Sequence, residues 1–322
     1  MEIDNIIGQR DLIAQLKRLL SLNLIGHAYA FSGPAGIGKK TLATAFIKDL
    51  LCRSSDSENC KCLSCRTFNE GTNPDFYEVI SDRKSIGVDT IRDLRDDAAH
   101  RPTYGSRKVY LIVDAELMTV HAQNCLLKTL EEPPEYVVII LLTTNFEALL
   151  PTIQSRTVNL RMAPYTDDEM KKIICPRYPI SKEELEFILK FSNGIPLNAI
   201  RMIEEGKIRD IRSQVFRLLE KPDDFIHVEN VRKALLDNRE ELSTVFDILL
   251  SIYRDCIIFK QGMESRLINS DKKDIIKSIA SSYENHNLFE KITKLEGMRR
   301  NFNYNINYQL GIDALLLEIQ EV

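Results

Sequence analysis

Apolar positions follow two different rhythms along the first 160 or so residues. Four short runs are apolar at nearly every position: His27 to Phe31, Phe76 to Ile80, Val109 to Val113 and Val137 to Leu142. Val158 and Leu160 mark a shorter fifth. Such runs, rich in β-branched residues, predict parallel strands covered on both faces. Between them the spacing is helical, as in Leu42, Phe46 and Leu50 after the first run. Strands alternating with helices predict an α/β layered fold around a parallel sheet. The rhythm changes near Ala163-Pro164-Tyr165-Thr166. Thr166 to Glu169 and Ser181 to Glu184 are capping boxes that open helices, and Gly194-Ile195-Pro196 punctuates the chain. From about residue 207 only the helical period remains, as in Phe246, Leu249, Leu250, Tyr253 and Ile257. The expected division is an α/β domain over 1–163, a small helical segment over 164–206 and an all-α domain over 207–322.

Composition narrows the class. The chain has 322 residues, 44% hydrophobic and 28% charged, enough to bury a core. A net charge of −4 gives no field that would draw the whole chain to nucleic acid or to an anionic membrane. No apolar run approaches the roughly 18 residues that a bilayer needs. The opening Met1-Glu2-Ile3-Asp4-Asn5 has no signal-peptide pattern, so a cytoplasmic location is expected. The seven Cys are then thiols or metal ligands, because the cytosol disfavours structural disulfides.

Gly33-Pro-Ala-Gly36-Ile-Gly38-Lys39 fits a phosphate loop placed between a strand and a helix. Glycines let backbone N–H groups turn toward phosphate oxygens, the lysine adds a point charge, and the helix N-terminus adds its dipole. The next position holds Lys40, where a working loop has the Ser or Thr that binds Mg²⁺. Thr41 comes one residue too late, rotated around the helix. The strand Lys108 to Asp114 ends in one carboxylate, whereas an ATPase uses one acid for Mg²⁺ and usually a second for water. Glu116 lies two residues beyond, and the competing reading of Asp114 is a helix cap.

Cys52, Cys60, Cys62 and Cys65 lie just after the helix that follows the phosphate loop. Four thiols so close together point to structural zinc, with a redox pair as the alternative. Cys125, Cys175 and Cys256 fall on apolar helical faces and are expected in the core.

Several stretches together carry a family resemblance. They are Ile6-Ile-Gly-Gln9, His27-Ala-Tyr29, the phosphate loop, the four Cys, Asn73-Pro-Asp75, Ile86-Gly-Val-Asp89, Leu126-Leu-Lys-Thr-Leu-Glu-Glu-Pro-Pro134, Thr143-Thr-Asn145 and Ser155-Arg-Thr157. In this order they resemble the AAA+ clamp-loader subunits of bacterial DNA polymerase III, and among these the delta-prime branch. The likeness is dense over about 4–165 and weaker beyond. It implies an AAA+ P-loop domain with a zinc insertion at 52–65, a helical lid and a C-terminal collar that joins a pentameric ring. The active motor branch, gamma or tau, is the alternative. It has Thr after the loop lysine, an Asp-Glu pair on the acidic strand and a lid arginine. This chain has Lys40, Val113-Asp114 and Leu197 at those points. The implied role is a subunit without intrinsic ATPase, bound to motor and delta subunits and, through the ring, to the sliding clamp and primed DNA. Arg156, flanked by Ser155 and Thr157, is implied to be an arginine finger acting in trans on a neighbour's ATP. Gly33, Gly36, Gly38, Lys39, Lys40, Thr41, Asp114 and Thr144 are implied to be a degenerate nucleotide site, with ATP binding left open. The family's cysteine spacing resembles C-x8-C-x2-C-x2-C, whereas this chain has C-x7-C-x-C-x2-C.

Overall fold

The computed structural model describes residues 3–53, 60–81, 85–239, 241–302 and 307–320. Residues 54–59 of the cysteine insertion and the ends of the expected first and last domains lie outside that set. The sheet has five strands: β1 (Ala28–Ser32), β2 (Phe76–Val79), β3 (Lys108–Ile112), β4 (Val137–Thr143) and β5 (Val158–Arg161). Their order is β2-β3-β4-β1-β5, and every pairing is parallel. Crossover helices satisfy the parallel connections: α1 (Arg10–Ser21) precedes β1, and α2 (Lys39–Leu51) and α3 (Leu63–Asn69) follow it. Next come α4 (Val88–Ala98), α5 (Val120–Glu131) and the single turn α6 (Pro151–Gln154).

The strands β1, β3 and β4 are buried at every position, as their unbroken apolar runs require. Strand β2 departs from the expectation. Only Val79 is buried, and Tyr77 is exposed, because β2 is the sheet edge and has a neighbour on one side only. Because β1 lies between β4 and β5, the chain turns of the phosphate loop, Asp114 and Thr144 all fall at the carboxyl ends of adjacent strands. That is where open α/β sheets place ligands.

Asn73-Pro74-Asp75 has a structural purpose. The buried Asp75 carboxylate accepts N–H bonds from Thr103, Tyr104 and Gly105 at 2.5, 2.6 and 3.0 Å. The Asn73 side chain accepts from the Asp75 N–H at 2.8 Å and donates to Ser64 at 2.9 and 3.0 Å. A buried carboxylate is tolerated when several donors satisfy it in this way.

The remaining helices are α7 (Asp167–Ile174), α8 (Lys182–Phe191), α9 (Pro196–Glu205), α10 (Lys207–Glu220), α11 (Phe225–Asp237), α12 (Glu241–Lys260), α13 (Lys273–Ser282), α14 (Asn285–Phe302) and α15 (Tyr308–Gln320). The first capping box forms in full, Glu169 N–H donating to the Thr166 hydroxyl at 3.4 Å and the Thr166 N–H to the Glu169 carboxylate at 3.0 Å; in the second, Ser181 caps the Glu184 N–H at 3.3 Å while the Glu184 carboxylate pairs with Arg209. No strand occurs beyond β5 among the described residues.

Residue contacts divide the chain into two compact units. One comprises Met1–Ile173 with Gly194–Leu197, and the other Ile174–Asn193 with Asn198–Val322. In the first, β3 and β4 side chains such as Tyr110, Ile139 and Leu141 pack with Leu94 of α4 and Leu126 of α5. In the second, Phe246, Leu249, Ile252 and Tyr253 of α12 form the middle of a helical core with Leu295 and Leu315. Asp255, fully buried on α12, accepts N–H bonds from Ile268 and Asn269 and so pins that turn to the helix. Of the three remaining cysteines, Cys256 is buried as expected and Cys125 is half-buried. Cys175 is instead exposed, because α7 stops at Ile174 and leaves it in the following turn.

Candidate functional site

The phosphate loop takes the backbone shape its glycines permit. Gly33, Gly36 and Gly38 have φ of 151, 77 and 100°. Close approach also requires two of them. A Cβ on Gly33 would lie 2.8 Å from the Met162 carbonyl oxygen, and one on Gly36 would lie 2.6 Å from the Leu197 Cβ. Leu197 thus covers the loop, and its N–H donates to the Gly36 oxygen at 3.3 Å. Buried Lys39 curls back on its own loop and donates to the Gly33 and Pro34 carbonyls at 2.7 and 2.9 Å. Burial lowers its pKa, and the charges of Glu116 and then Asp114 oppose that shift. Exposed Lys40 pairs with Glu78 of β2 at 2.6 Å, and Thr41 is exposed.

The acidic strand differs from the sequence expectation. Strand β3 ends at Ile112, and Asp114 stands exposed in a left-handed turn, φ 52°, with no side-chain capping bond. Glu116 is the acid with the larger influence on Lys39. Its Oε1 accepts from the Thr144 N–H at 3.0 Å and from the Thr144 hydroxyl at 2.5 Å. Burial raises the Glu116 pKa, but these bonds outweigh it and hold the carboxyl below its usual value. The residues present do not fit a magnesium-bound nucleotide. Position 40 offers an ammonium in place of a hydroxyl, and Thr144 is engaged with Glu116. Glu116 Oε2 is buried without a hydrogen-bond partner, yet one carboxylate oxygen is a small part of an octahedral shell.

Arg156 occupies a different corner of the same unit, two residues after α6. Its Nη1 donates to the Thr152 carbonyl at 3.0 Å and to the Ser155 hydroxyl at 3.4 Å, while Nη2 meets Glu131 at 3.1 Å. Ser155 and Thr157 do not reach outward. Their hydroxyls donate to the Thr152 and Ile153 carbonyls at 3.1 and 3.0 Å and close the α6 turn. The arginine side chain remains 36% exposed. Sequence reading singles out Arg156 and covers Glu131 in the Leu126 to Pro134 stretch, but gives no signal that the two meet across 25 positions.

The four sulfurs of Cys52, Cys60, Cys62 and Cys65 lie within 4.8 Å of one another. A tetrahedral metal with Zn–S bonds of about 2.3 Å needs sulfurs about 3.8 Å apart, so a small contraction completes the shell. Cys60 and Cys62, despite their short spacing, both lie in this cluster. The backbone N–H groups of Cys62 and Cys65 point at the sulfurs of Cys60 and Cys62, both at 3.5 Å. The Cys62 thiol is lowered to about 6: burial opposes the shift, and hydrogen bonds led by the Arg53 and Cys65 backbone outweigh it. Burial raises Cys65. The cluster can hold a metal ion as four thiolates, with no position left for catalysis.

Comparison with known proteins places the chain among subunits of DNA polymerase III. A family model described as DNA polymerase III, delta subunit, matches residues 8–166, and its C-terminal companion matches residues 210–321. The chain is similar to DNA polymerase III subunit delta' of Bacillus subtilis, 27% identical over 303 residues and covering 92% of each chain. The delta' subunit of Pseudomonas aeruginosa is 39% identical over 203 residues, 61% of each chain. Subunits named gamma and tau match as well. A Thermotoga maritima gamma subunit-related protein shares the fold with a TM-score of 0.52, 21% identity and coverage of 95% of this chain and 99% of that one. Among the described residues no helix is long and apolar enough to cross a membrane.

Proposed function

The chain belongs to the delta-prime family of DNA polymerase III subunits, and from that premise we propose that it is a non-motor member of the clamp-loader ring. In this reading it sits in the cytoplasm with gamma or tau motor subunits and delta, and the ring loads the sliding clamp on primed DNA. The observation that carries the reading is the contrast at the nucleotide loop. Lys39 is spent on its own carbonyls, Lys40 on Glu78, and Thr144 on Glu116. Nothing there is arranged to hold Mg²⁺ or to activate water, so the chain has no ATPase activity of its own.

Arg156 supplies the working chemistry. A guanidinium stays charged at any physiological pH and forks onto phosphate oxygens. Presented to the ATP site of the adjoining motor subunit, it stabilises charge developing on the transferred phosphoryl group. A finger acting in trans is worth roughly 10³–10⁵ in rate at the site it serves. Residues 164–206 act as the lid and 207–322 as the collar that packs in the ring. Zinc fills the cluster of Cys52, Cys60, Cys62 and Cys65 and stiffens the insertion after α2.

The test is reconstitution with the motor subunits, clamp and primed DNA. Arg156→Ala is expected to leave assembly intact and to lower stimulated ATPase. Unchanged turnover refutes the finger, and brisk hydrolysis by the isolated wild-type chain refutes the non-motor assignment. Metal analysis is expected to find about one zinc per chain, since one four-ligand set is present.

A further inference from the structure

The last residue of α5 breaks a local rule. A helix C-terminus carries partial negative charge and favours cations. Here α5 ends in Glu131, with Glu132 at its cap. Helix stability alone gives no reason for a carboxylate at this place. Glu131 pairs with Arg156 at 3.1 Å, and the pair joins the end of α5 to the turn after α6. Charges set against local preference tend to mark functional positions.

From this we infer that Glu131 is a positioning residue: it holds the Arg156 guanidinium ready for the phosphate of a neighbouring subunit. The inference rests on the finger reading above. An arginine on a surface has many rotamers, and ordering it on a partner opposes engagement. Three contacts from its own chain remove that freedom beforehand: the Thr152 carbonyl, the Ser155 hydroxyl and Glu131. The guanidinium has five N–H donors, so those contacts leave donors over for phosphate oxygens. Of the three, only the Glu131 ion pair comes from a separate element and carries opposite charge. It draws the guanidinium toward the end of α5, which the carbonyl and hydroxyl on the Arg156 turn do not do.

The experiment is a double-mutant cycle in the reconstituted ring with clamp and primed DNA, read as kcat and KM for ATP. Glu131→Gln is expected to lower kcat about three- to ten-fold, the factor expected from releasing one long side chain. KM for ATP should hold, because nucleotide binding belongs to the neighbour. Glu131→Asp keeps the charge at shorter reach and should fall between the two. In an Arg156→Ala background, Glu131→Gln should add nothing. A thermal melt of the isolated variant should match or exceed wild type, since a charge opposed to the helix dipole is gone, and a lower melt would point to a merely structural residue.

Besides a lower melt, three results would overturn the inference. One is an unchanged or faster rate for Glu131→Gln, as for a carboxylate that competes with phosphate. Another is an equal fall in the Arg156→Ala background. The third is a rate loss accompanied by loss of assembly. If Arg156→Ala itself has no effect, the finger reading fails first and is recognised by that arm alone.

Discussion

The phosphate loop and the Arg156 corner lie in the same compact unit and both carry cations suited to phosphate. They differ in what those cations face. Lys39 and Lys40 are satisfied by the chain itself, the first by loop carbonyls and the second by Glu78. Arg156 is held by its own chain but keeps donors over and remains over a third exposed. A cation that ends on internal partners contributes to the fold. One that is oriented and left unsaturated remains available to another molecule. A nucleotide loop can thus stay closed and well packed while its Lys39, Lys40 and Thr144 are engaged in internal bonds.

The largest effect expected from this contrast is functional. Arg156→Ala should lower the turnover of the ATP site it serves by about 10² or more, set against the roughly 10³–10⁵ range for such arginines. Stimulated ATPase of the ring checks it, and a loss under two-fold would erase the difference between the two regions. Next is Gly36→Ala, which places a side chain at positive φ and against Leu197. Stability should fall by about 1–3 kcal/mol, measured by denaturant unfolding. No loss would mean the loop is not closed by Leu197.

A smaller effect concerns pH. The Glu116 carboxyl is held below its usual value in the folded chain, despite burial, by Thr144. Its contribution is then fully present above the unfolded value of about 4.3 and is lost as pH falls through the lower folded value. Glu116→Gln should cost about 1 kcal/mol at neutral pH. The gap in melting temperature should close in acid below about pH 4; a gap that persists there would show that charge is not involved. The smallest effect is none: Lys39→Ala should leave the ATPase of the ring as it was. A clear fall would return the loop to the nucleotide-binding class.

Much of this was legible in the residues. Continuous apolar runs located the strands to within a residue or two, because a covered parallel sheet leaves no polar face to confuse the pattern. The Gly33 to Lys39 loop and the cysteine cluster declared themselves through spacing. What stayed hidden depended on turns and on distant partners. Asp114 looked like the working acid because it follows the strand in sequence, but a left-handed turn brings Glu116 to the fore. Strand β2 read as covered because nothing local reveals which strand is an edge. The Asn73-Pro74-Asp75 stretch was noticeable, while its three amide partners lie 28–30 positions away. Glu131 stood within the quoted Leu126 to Pro134 stretch, but its partner Arg156 lies 25 positions away.

The path of the chain bears on how the molecule can be taken apart. Four residues, Gly194–Leu197, belong with the sheet, whereas the stretches on either side of them belong with the helical unit. The polypeptide is laced between the two bodies, unlike beads joined by a single tether. Severing it after residue 173 would strip the Tyr165 amide of its bond to the Gly194 carbonyl and uncover Gly36. A sheet fragment that folds well by itself should therefore bring that short return segment with it, spliced on by a linker.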